Sequence, residues 1–207
     1  MTDHTGIYIV LLNWNGWRDT IACLESLLPD INKGAKVVIC DNESADNSLE
    51  HIRAWSQGKL HAGRSGNPRL DRLQNHKLAR PLTRRISWDE AELGRIDHEA
   101  QLILIDNGGN LGFAGGNNTG LRFALLQKDM TQVWLLNNDT LVEPDCLQEM
   151  RTRLARHGGP AVCGSVIHFF EKPEVVQCIG GNRFDKQRGR ALQSAGRFLH
   201  EADLPDI

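Results

Sequence analysis

The chain has 207 residues with a net charge of -2; 40% are hydrophobic and 24% charged. That length closes one sizeable core, and the near-average composition excludes disordered and fibrous classes. The weak net charge gives no general reason to expect nucleic acid as a partner, and no apolar run reaches the ~18 residues that span a bilayer. The start lacks the basic-then-apolar pattern of a secretory signal, so a cytoplasmic location is expected.

Ile7–Leu12 (IYIVLL) is a continuous apolar run of strand length, ended by the polar turn Asn13–Gly16. From Asp19 to Leu28 the apolar residues Ile21, Leu24, Leu27 and Leu28 recur at helical spacing, and Pro29 is expected to close that helix. Lys36–Cys40 repeats the buried-strand pattern, a polar turn follows from Asp41, and Leu49, Ile52 and Trp55 mark a second helix.

Residues 56–98 are polar and only weakly periodic, and we read them as an insertion, part helix and part irregular. Lys59, Arg64, Arg69, Arg72, Lys77, Arg80, Arg84 and Arg85 make the stretch locally basic. A solvated loop is the simpler reading, and a peripheral contact with anionic lipid is the alternative. Strands are expected at Leu102–Ile105 and Val133–Leu136, joined by a helix with Leu121, Ala124 and Leu125 inward. A helix from Glu143 and Pro144 to Gly158 and a strand over Ala161–Phe170 follow. Alternating strands and helices imply a parallel sheet with helices on its faces, an α/β fold. The five cysteines form no ligand pattern and read as reduced thiols, most of them in the core.

In such a sheet ligands sit beyond the carboxyl ends of the strands. Polar residues gather there: Asn13 and Asn15, Asp41 and Glu43, the segment Asp106–Asn118, and Asn137–Asp139. A carboxylate such as Asp41 accepts from a ribose hydroxyl or a base N–H, although a turn or helix cap uses the same residue. Asp139 among amides suits a hard cation that keeps waters and phosphate oxygens in its shell. The glycine-rich stretch from Asn107 to Gly120 lets backbone N–H groups approach a phosphate, or serves packing. It lacks the G-x-G-x-x-G fingerprint, which weighs against a nicotinamide-dependent oxidoreductase.

Taken in order, LNWNG, VVICDNESADNS, NLGFAGGNNTGL, WLLNNDTLVEP and VCGSVIHFFEKPEVVQCIGG resemble the successive motifs of family 2 glycosyltransferases, in particular a bacterial rhamnosyltransferase-like branch. The resemblance runs from Ile7 to about Asn182, apart from the insertion. It implies a GT-A-like fold with a Rossmann-like nucleotide-binding half, and a domain at 1–182 followed by a polar tail or acceptor region at 183–207. It also implies an inverting sugar transfer, with rhamnose as first choice, from a dTDP-, UDP- or GDP-sugar to a glycan or lipid-linked acceptor in polysaccharide biosynthesis; a lipid contact of the basic stretch would place it at the inner face of the membrane.

By motif position, the resemblance places Asn13, Asn15, Asp41, Glu43, Asn110, Gly112, Asn117, Asn118 and Asn138 around the nucleotide sugar. Asp139 becomes the ligand of Mg2+ or Mn2+, with Asn137 as a second candidate where relatives carry aspartate. Asn117 stands where other branches carry arginine. The acidic motif that supplies the family's catalytic base has no counterpart after Gly181, so no base is identified. A nucleotide-binding module that lacks transfer activity is therefore the alternative expectation.

Overall fold

The computed structural model describes residues 3–74, 77–95, 99–179 and 182–193. Cα packing divides the chain into compact units at Met1–Pro144 and Asp145–Ile207, whereas the motif resemblance sets its boundary near 182.

The first unit runs β1 (Ile7–Asn13), α1 (Trp17–Asn32), β2 (Lys36–Asp41), α2 (Ser48–Ser56), α3 (Pro68–Asp71), a 3-10 turn (Arg72–Gln74), β3 (Thr83–Ser87), α4 (Trp88–Glu92), β4 (Leu102–Asp106), α5 (Gly112–Leu125) and β5 (Gln132–Asn137). The strands form one five-stranded sheet, ordered β3-β4-β2-β1-β5, and every pairing is parallel. This is the expected parallel α/β sheet flanked by helices, consistent with a GT-A-like fold. Strands β1, β2 and β4 are almost wholly buried, which is why they read as unbroken apolar runs.

Alternate strand residues face opposite sides. Tyr8, Val10, Val38, Cys40, Ile103 and Ile105 pack with Phe123 and Ala124 of α5 and Ala91 of α4 in one cluster. Helices α1 and α2 pack on each other and cover the other face. Helix α5 lies unusually close to the sheet because Gly116 and Gly120 share its inner side. A Cβ on Gly120 would sit 2.5 Å from Val10 Cγ1 and 2.9 Å from Cys40 Sγ. We expect Gly120→Val to lower stability by about 1–3 kcal/mol, the usual cost of overpacking a full core, read as a lower urea midpoint with an unchanged slope. An unchanged midpoint would mean that α5 moves away from the sheet at little cost.

Several sequence expectations need correction. Helix α1 does not stop at Pro29 but continues to Asn32. Its last turn is held by tertiary contacts: Ile31 is buried, Asp30 pairs with His4, and Asn32 Nδ2 donates to Ala79 O at 3.1 Å. The inner side of α5 carries Gly116, Gly120, Phe123 and Ala124, while Leu125 is exposed.

The insertion is not merely a loop. It contributes β3 as the outer strand beside β4 and the short helices α3 and α4. Four of the eight cations named above face carboxylates: Arg80 meets buried Glu25 at 2.8 Å, Arg85 meets Glu50 and Asp106 at 2.9 Å each, and Arg69 and Arg72 face Glu143. The Arg80 guanidinium also lies 4.6 Å from the centre of the Trp55 ring, whose Nε1 donates to the same Glu25.

The second unit holds α6 (Cys146–His157) and the antiparallel pairs β6 (Val166–His168) with β7 (Val176–Ile179) and β8 (Asn182–Asp185) with β9 (Arg190–Gln193). Helix α6 starts after Pro144 rather than at Glu143, and β6 is much shorter than the strand expected over Ala161–Phe170. The acidic residues Glu201, Asp203 and Asp206 lie outside the described residues. No described helix is long and apolar enough to cross a membrane.

All five cysteines are free thiols, but only Cys23 and Cys40 belong to the core. Burial pushes the Cys40 thiol up to about 12, and burial followed by the Asp139 carboxylate raises Cys23 as well, so both stay protonated.

Candidate functional site

The two edges of the sheet use polar residues differently. At the amino edge, Tyr8 Oη donates to Asp129 Oδ1 at 2.7 Å and Lys36 Nζ to Asp129 Oδ2 at 2.9 Å. Burial works to raise the Asp129 carboxyl, yet the bonds from Lys36 and Tyr8 together hold it below the ordinary range. This closes the end of the sheet.

At the carboxyl edge, strand register places polar side chains in one row. Asn13 pairs with Asp41, Asp41 with Asp106, and Asp106 with Ser87, while Leu12 pairs with Asn137 and so brings Asn138 beside Asn13.

Asp41 sits at the centre and is only 3% exposed. Its Oδ1 accepts from Asn13 Nδ2 at 2.6 Å and from Ser44 Oγ at 2.7 Å, and its Oδ2 accepts from the Ser44 N–H at 2.9 Å. Asn13 Nδ2 also donates to Ser44 Oγ at 3.0 Å, and Asn13 Oδ1 accepts from Thr20 Oγ1 at 2.8 Å. Asn138 Nδ2 donates to the same Thr20 oxygen at 2.9 Å. The loops after β1, β2 and β5 are thus tied into one network through the first turn of α1.

The loop after β4 joins through Asn42. Asn107 Nδ2 donates to Asn42 Oδ1 at 2.8 Å, and Asn42 Nδ2 donates to Gly112 O at 3.0 Å. Asn110 Oδ1 accepts from the Gly112 N–H at 2.9 Å. Gly108 and Gly112 have φ of +65° and +68°, which L side chains rarely adopt, whereas Gly116 and Gly120 serve close packing. The glycine-rich stretch therefore does two different jobs.

Strain gathers at this edge. The non-glycine residues with positive φ, among those described, are Asn15, Glu43 and Asn47, all in the loops after β1 and β2. Asparagine tolerates that conformation, but for glutamate it is costly, and such outliers concentrate at functional sites. Asn15 is held by its N–H to Ser44 Oγ at 2.8 Å and by Ala45 N–H to its Oδ1 at 2.7 Å, while the Glu43 side chain is exposed.

The other expected residues divide by exposure. Asn117 is buried and donates back to Phe113 O at 2.9 Å, as a helical asparagine does when it faces its own helix. Asn118, Asn110, Asn137 and Asp139 are exposed at the same edge. No group of three His, Cys, Asp or Glu side chains that could hold a metal occurs among the described residues. Asp139 and Asn137 therefore belong to no such cluster, and a hard cation held by one carboxylate takes the rest of its shell from water and ligand oxygens.

Sequence reading missed Thr20 and Ser44 as the joints of the network. Both are ordinary helix-start and turn residues, and only the register shows what they reach. It also missed a cleft of ≈ 430 Å³ at the ends of β3 and β4, walled by Arg85, Ser87, Trp88, Asp89, Asp106 and Gly108.

The carboxyl edge thus carries a row of amides and carboxylates across the strand ends, with a glycine-rich loop beside it. Residues 90–192 match the Glycosyl transferase family 2 model. That stretch contains the loop after β4 and Asn137–Asp139, while Asn13, Asn15 and Asp41 precede it and are joined to it by the sheet. The chain also resembles the "Low-salt glycan biosynthesis hexosyltransferase Agl10" of Haloferax volcanii, at 40% identity over 62 residues. That match covers 30% of this chain and spans only 20% of the relative's length. Together the two findings support a resemblance to family 2 glycosyltransferases and to glycosyl transfer in general.

Proposed function

We propose that the carboxyl edge of this sheet holds a nucleoside diphosphate sugar, and that the sugar passes with inversion to a hydroxyl of a saccharide or lipid-linked acceptor. The observation that carries this reading is the single hydrogen-bonded network from Asn138 through Thr20 and Asn13 to Asp41, which presets the three loops after β1, β2 and β5 around one row of polar groups. Preset loops lower the ordering cost of binding.

In this reading Asp41 and Asn42 face the ribose, with Asn13 and Ser44 as positioning residues whose bonds fix the Asp41 carboxylate. Asn15, Glu43, Asn110, Gly112, Asn117 and Asn118 shape the pocket around the nucleotide, and Asn138 and Asp139 lie toward its diphosphate. Carboxylates at Asp41, Glu43, Asp106 and Asp139 would repel a bare diphosphate, and Arg85 is already engaged by Glu50 and Asp106. That imbalance supports Mg2+ or Mn2+ at Asp139, with Asn137 as the neighbouring oxygen. Such a cation, when bound, neutralises the charge that builds on the leaving diphosphate. The acceptor oxygen attacks the anomeric carbon from the face opposite that leaving group, the carbon–diphosphate bond breaks, and the hydroxyl proton goes to a base.

Rhamnose stays the first donor sugar on the motif resemblance, and a hexose is the one suggested by the relative's name. The acceptor belongs to polysaccharide assembly at the cytoplasmic face of a membrane. A peripheral contact of the basic insertion with anionic lipid is the accompanying reading, although four of its eight cations, Arg69, Arg72, Arg80 and Arg85, already face carboxylates.

Calorimetric titration with dTDP, UDP and GDP, first with manganese and then with EDTA, tests the reading. One nucleotide should bind at micromolar level, and Asp139→Ala should weaken it by at least about 10- to 100-fold, the loss that changing even an outer-shell partner of a metal ligand produces. Binding that ignores both EDTA and Asp139→Ala would remove the metal from the proposal. No binding of any nucleotide to the folded chain would end the donor-site reading.

A further inference from the structure

Helices α1 and α2 begin where the loops after β1 and β2 end, and neither is started by a side-chain cap from the residue before it, Gly16 or Asn47. In α2 a histidine one turn further on supplies the missing contact. The Asn47 carbonyl accepts from the His51 backbone N–H at 3.1 Å and meets the His51 ring at Nδ1, 2.9 Å away. A carbonyl only accepts, so Nδ1 carries the ring proton in this contact. That ring stacks in turn on Trp17, the first residue of α1, with the ring centres 4.2 Å apart and the planes 8° from parallel. The Arg18 guanidinium also lies over the indole, 4.2 Å from its centre.

The stack is the second of two ties between these loops. The first runs through Ser44, whose Oγ accepts from the Asn15 N–H, while Asn15 Oδ1 accepts from the Ala45 N–H. The strained backbone lies inside the closed circuit: Asn15 stands between Asn13 and Trp17 on one loop, and Glu43 and Asn47 between Asp41 and His51 on the other. Such conformations persist only where the surroundings over-determine them. The tie at Ser44 holds Asn15, and the Asn47 carbonyl is held through His51. Two loops joined at Ser44 alone could pivot about that joint, and a tie at their far ends removes the freedom.

We propose that the stack of Trp17 on His51 is a clasp that sets the spacing of the loops after β1 and β2, and through that spacing the affinity for the donor. Trp17 and His51 are then positioning residues, acting through Asn15, Ser44 and Asp41 rather than by touching the ligand. The effect on binding rests on the donor reading above. A protein whose binding-competent loop arrangement is populated only in part binds more weakly by that fraction, so loosening the clasp costs affinity without removing a ligand contact. A stack that did no more than pack α1 on α2 would alter stability and leave the loops and the affinity as they were.

The test uses the full chain with Trp17→Ala, His51→Ala, the two together, and Trp17→Phe, which keeps a ring for His51 to stack on. Titration with the nucleoside diphosphate that the unaltered chain binds most tightly should show affinity about 2- to 10-fold lower in each alanine variant, the worth of one aromatic pair. The double variant should lose little more than either single one, because both remove the same contact, and Trp17→Phe should restore most of the affinity. The Ser44 and Ala45 amides, bonded to Asp41 and Asn15, should exchange faster with deuterium in the alanine variants. Unchanged affinity in the alanine variants, or losses that multiply in the double, would overturn the clasp. A lowered melting temperature with unchanged exchange of those amides would make the stack packing alone and also overturn it. If the unaltered chain binds no nucleotide, the donor reading fails by itself, and the exchange rates still decide whether the stack holds the loops.

Discussion

Asp30→Ala should cost the first unit about 3–5 kcal/mol, enough to shift its urea midpoint far below that of the unaltered protein. His4 Nδ1 lies 3.1 Å from Asp30 Oδ1, and the two side chains are 0% and 1% exposed. Around them the chain entry is sewn to the end of α1: His4 N–H donates to Lys33 O, and Asp30 O accepts from the N–H groups of both Lys33 and Ala35. Removing the carboxylate leaves the imidazole buried without the acceptor it faces, and water cannot replace it without opening the α1 to β2 turn. The pair itself gains little over apolar side chains, because desolvating both groups offsets much of their attraction. Replacing both, as His4→Phe with Asp30→Leu, should therefore recover a large part of what either single change loses. Equilibrium unfolding of the singles and the double makes the comparison. Single variants within about 1 kcal/mol of the unaltered protein would show that the pair is not buried as tightly as the structure has it.

How much of this was legible in the sequence follows from what each segment touches. Strands β1, β2 and β4 have both faces covered, so sterics and burial leave only apolar side chains and the pattern is plain. Strand β3 was not legible because it is an edge strand with Ile86 as its one buried residue, and two arginines in five positions read as a charged loop. Those arginines make sense only beside Glu50 and Asp106, which are brought there by α2 and β4.

Pro29 shows the opposite failure: a reliable local stop signal was overridden because Ile31 and Asp30 gain more from the core than one missing helix bond loses. At the site, the residue types were visible but not their partners. Asn13 and Asp41 are separated by 28 residues, and Asn138 and Thr20 by 118, so no local spacing rule links them. The sequence also could not divide the glycines of the loop after β4 into those needed for left-handed backbone and those needed for close packing. The two kinds look identical until the helix is set on the sheet.

Asp41→Ala should remove nucleotide binding and also destabilise the site loops by about 3 kcal/mol or more, since it leaves several donors unsatisfied at once. In the folded protein the carboxylate accepts from Asn13 Nδ2, Ser44 Oγ and the Ser44 N–H, all in a position that is 3% exposed. A buried donor without an acceptor costs about 1–3 kcal/mol, and relaxation of Ser44 toward solvent would recover part of that. The relaxation has a consequence for the neighbouring loop, because Ser44 Oγ also accepts from the Asn15 N–H and Asn15 is held at positive φ.

Loss of Asp41 should therefore release strain at Asn15 and Glu43 and let the loops after β1 and β2 separate. Asp41→Asn separates the two effects. Its amide keeps the shape and one acceptor oxygen, but it turns a donor toward either Asn13 Nδ2 or the Ser44 N–H, so stability should fall less than in the alanine variant while nucleotide affinity still drops steeply. Hydrogen exchange of the Ser44 and Ala45 amides, measured beside calorimetric titration, reads both quantities. If those amides stay protected in Asp41→Ala and the nucleotide binds as before, Asp41 is neither the joint of the network nor a donor contact, and the site must lie elsewhere along the edge.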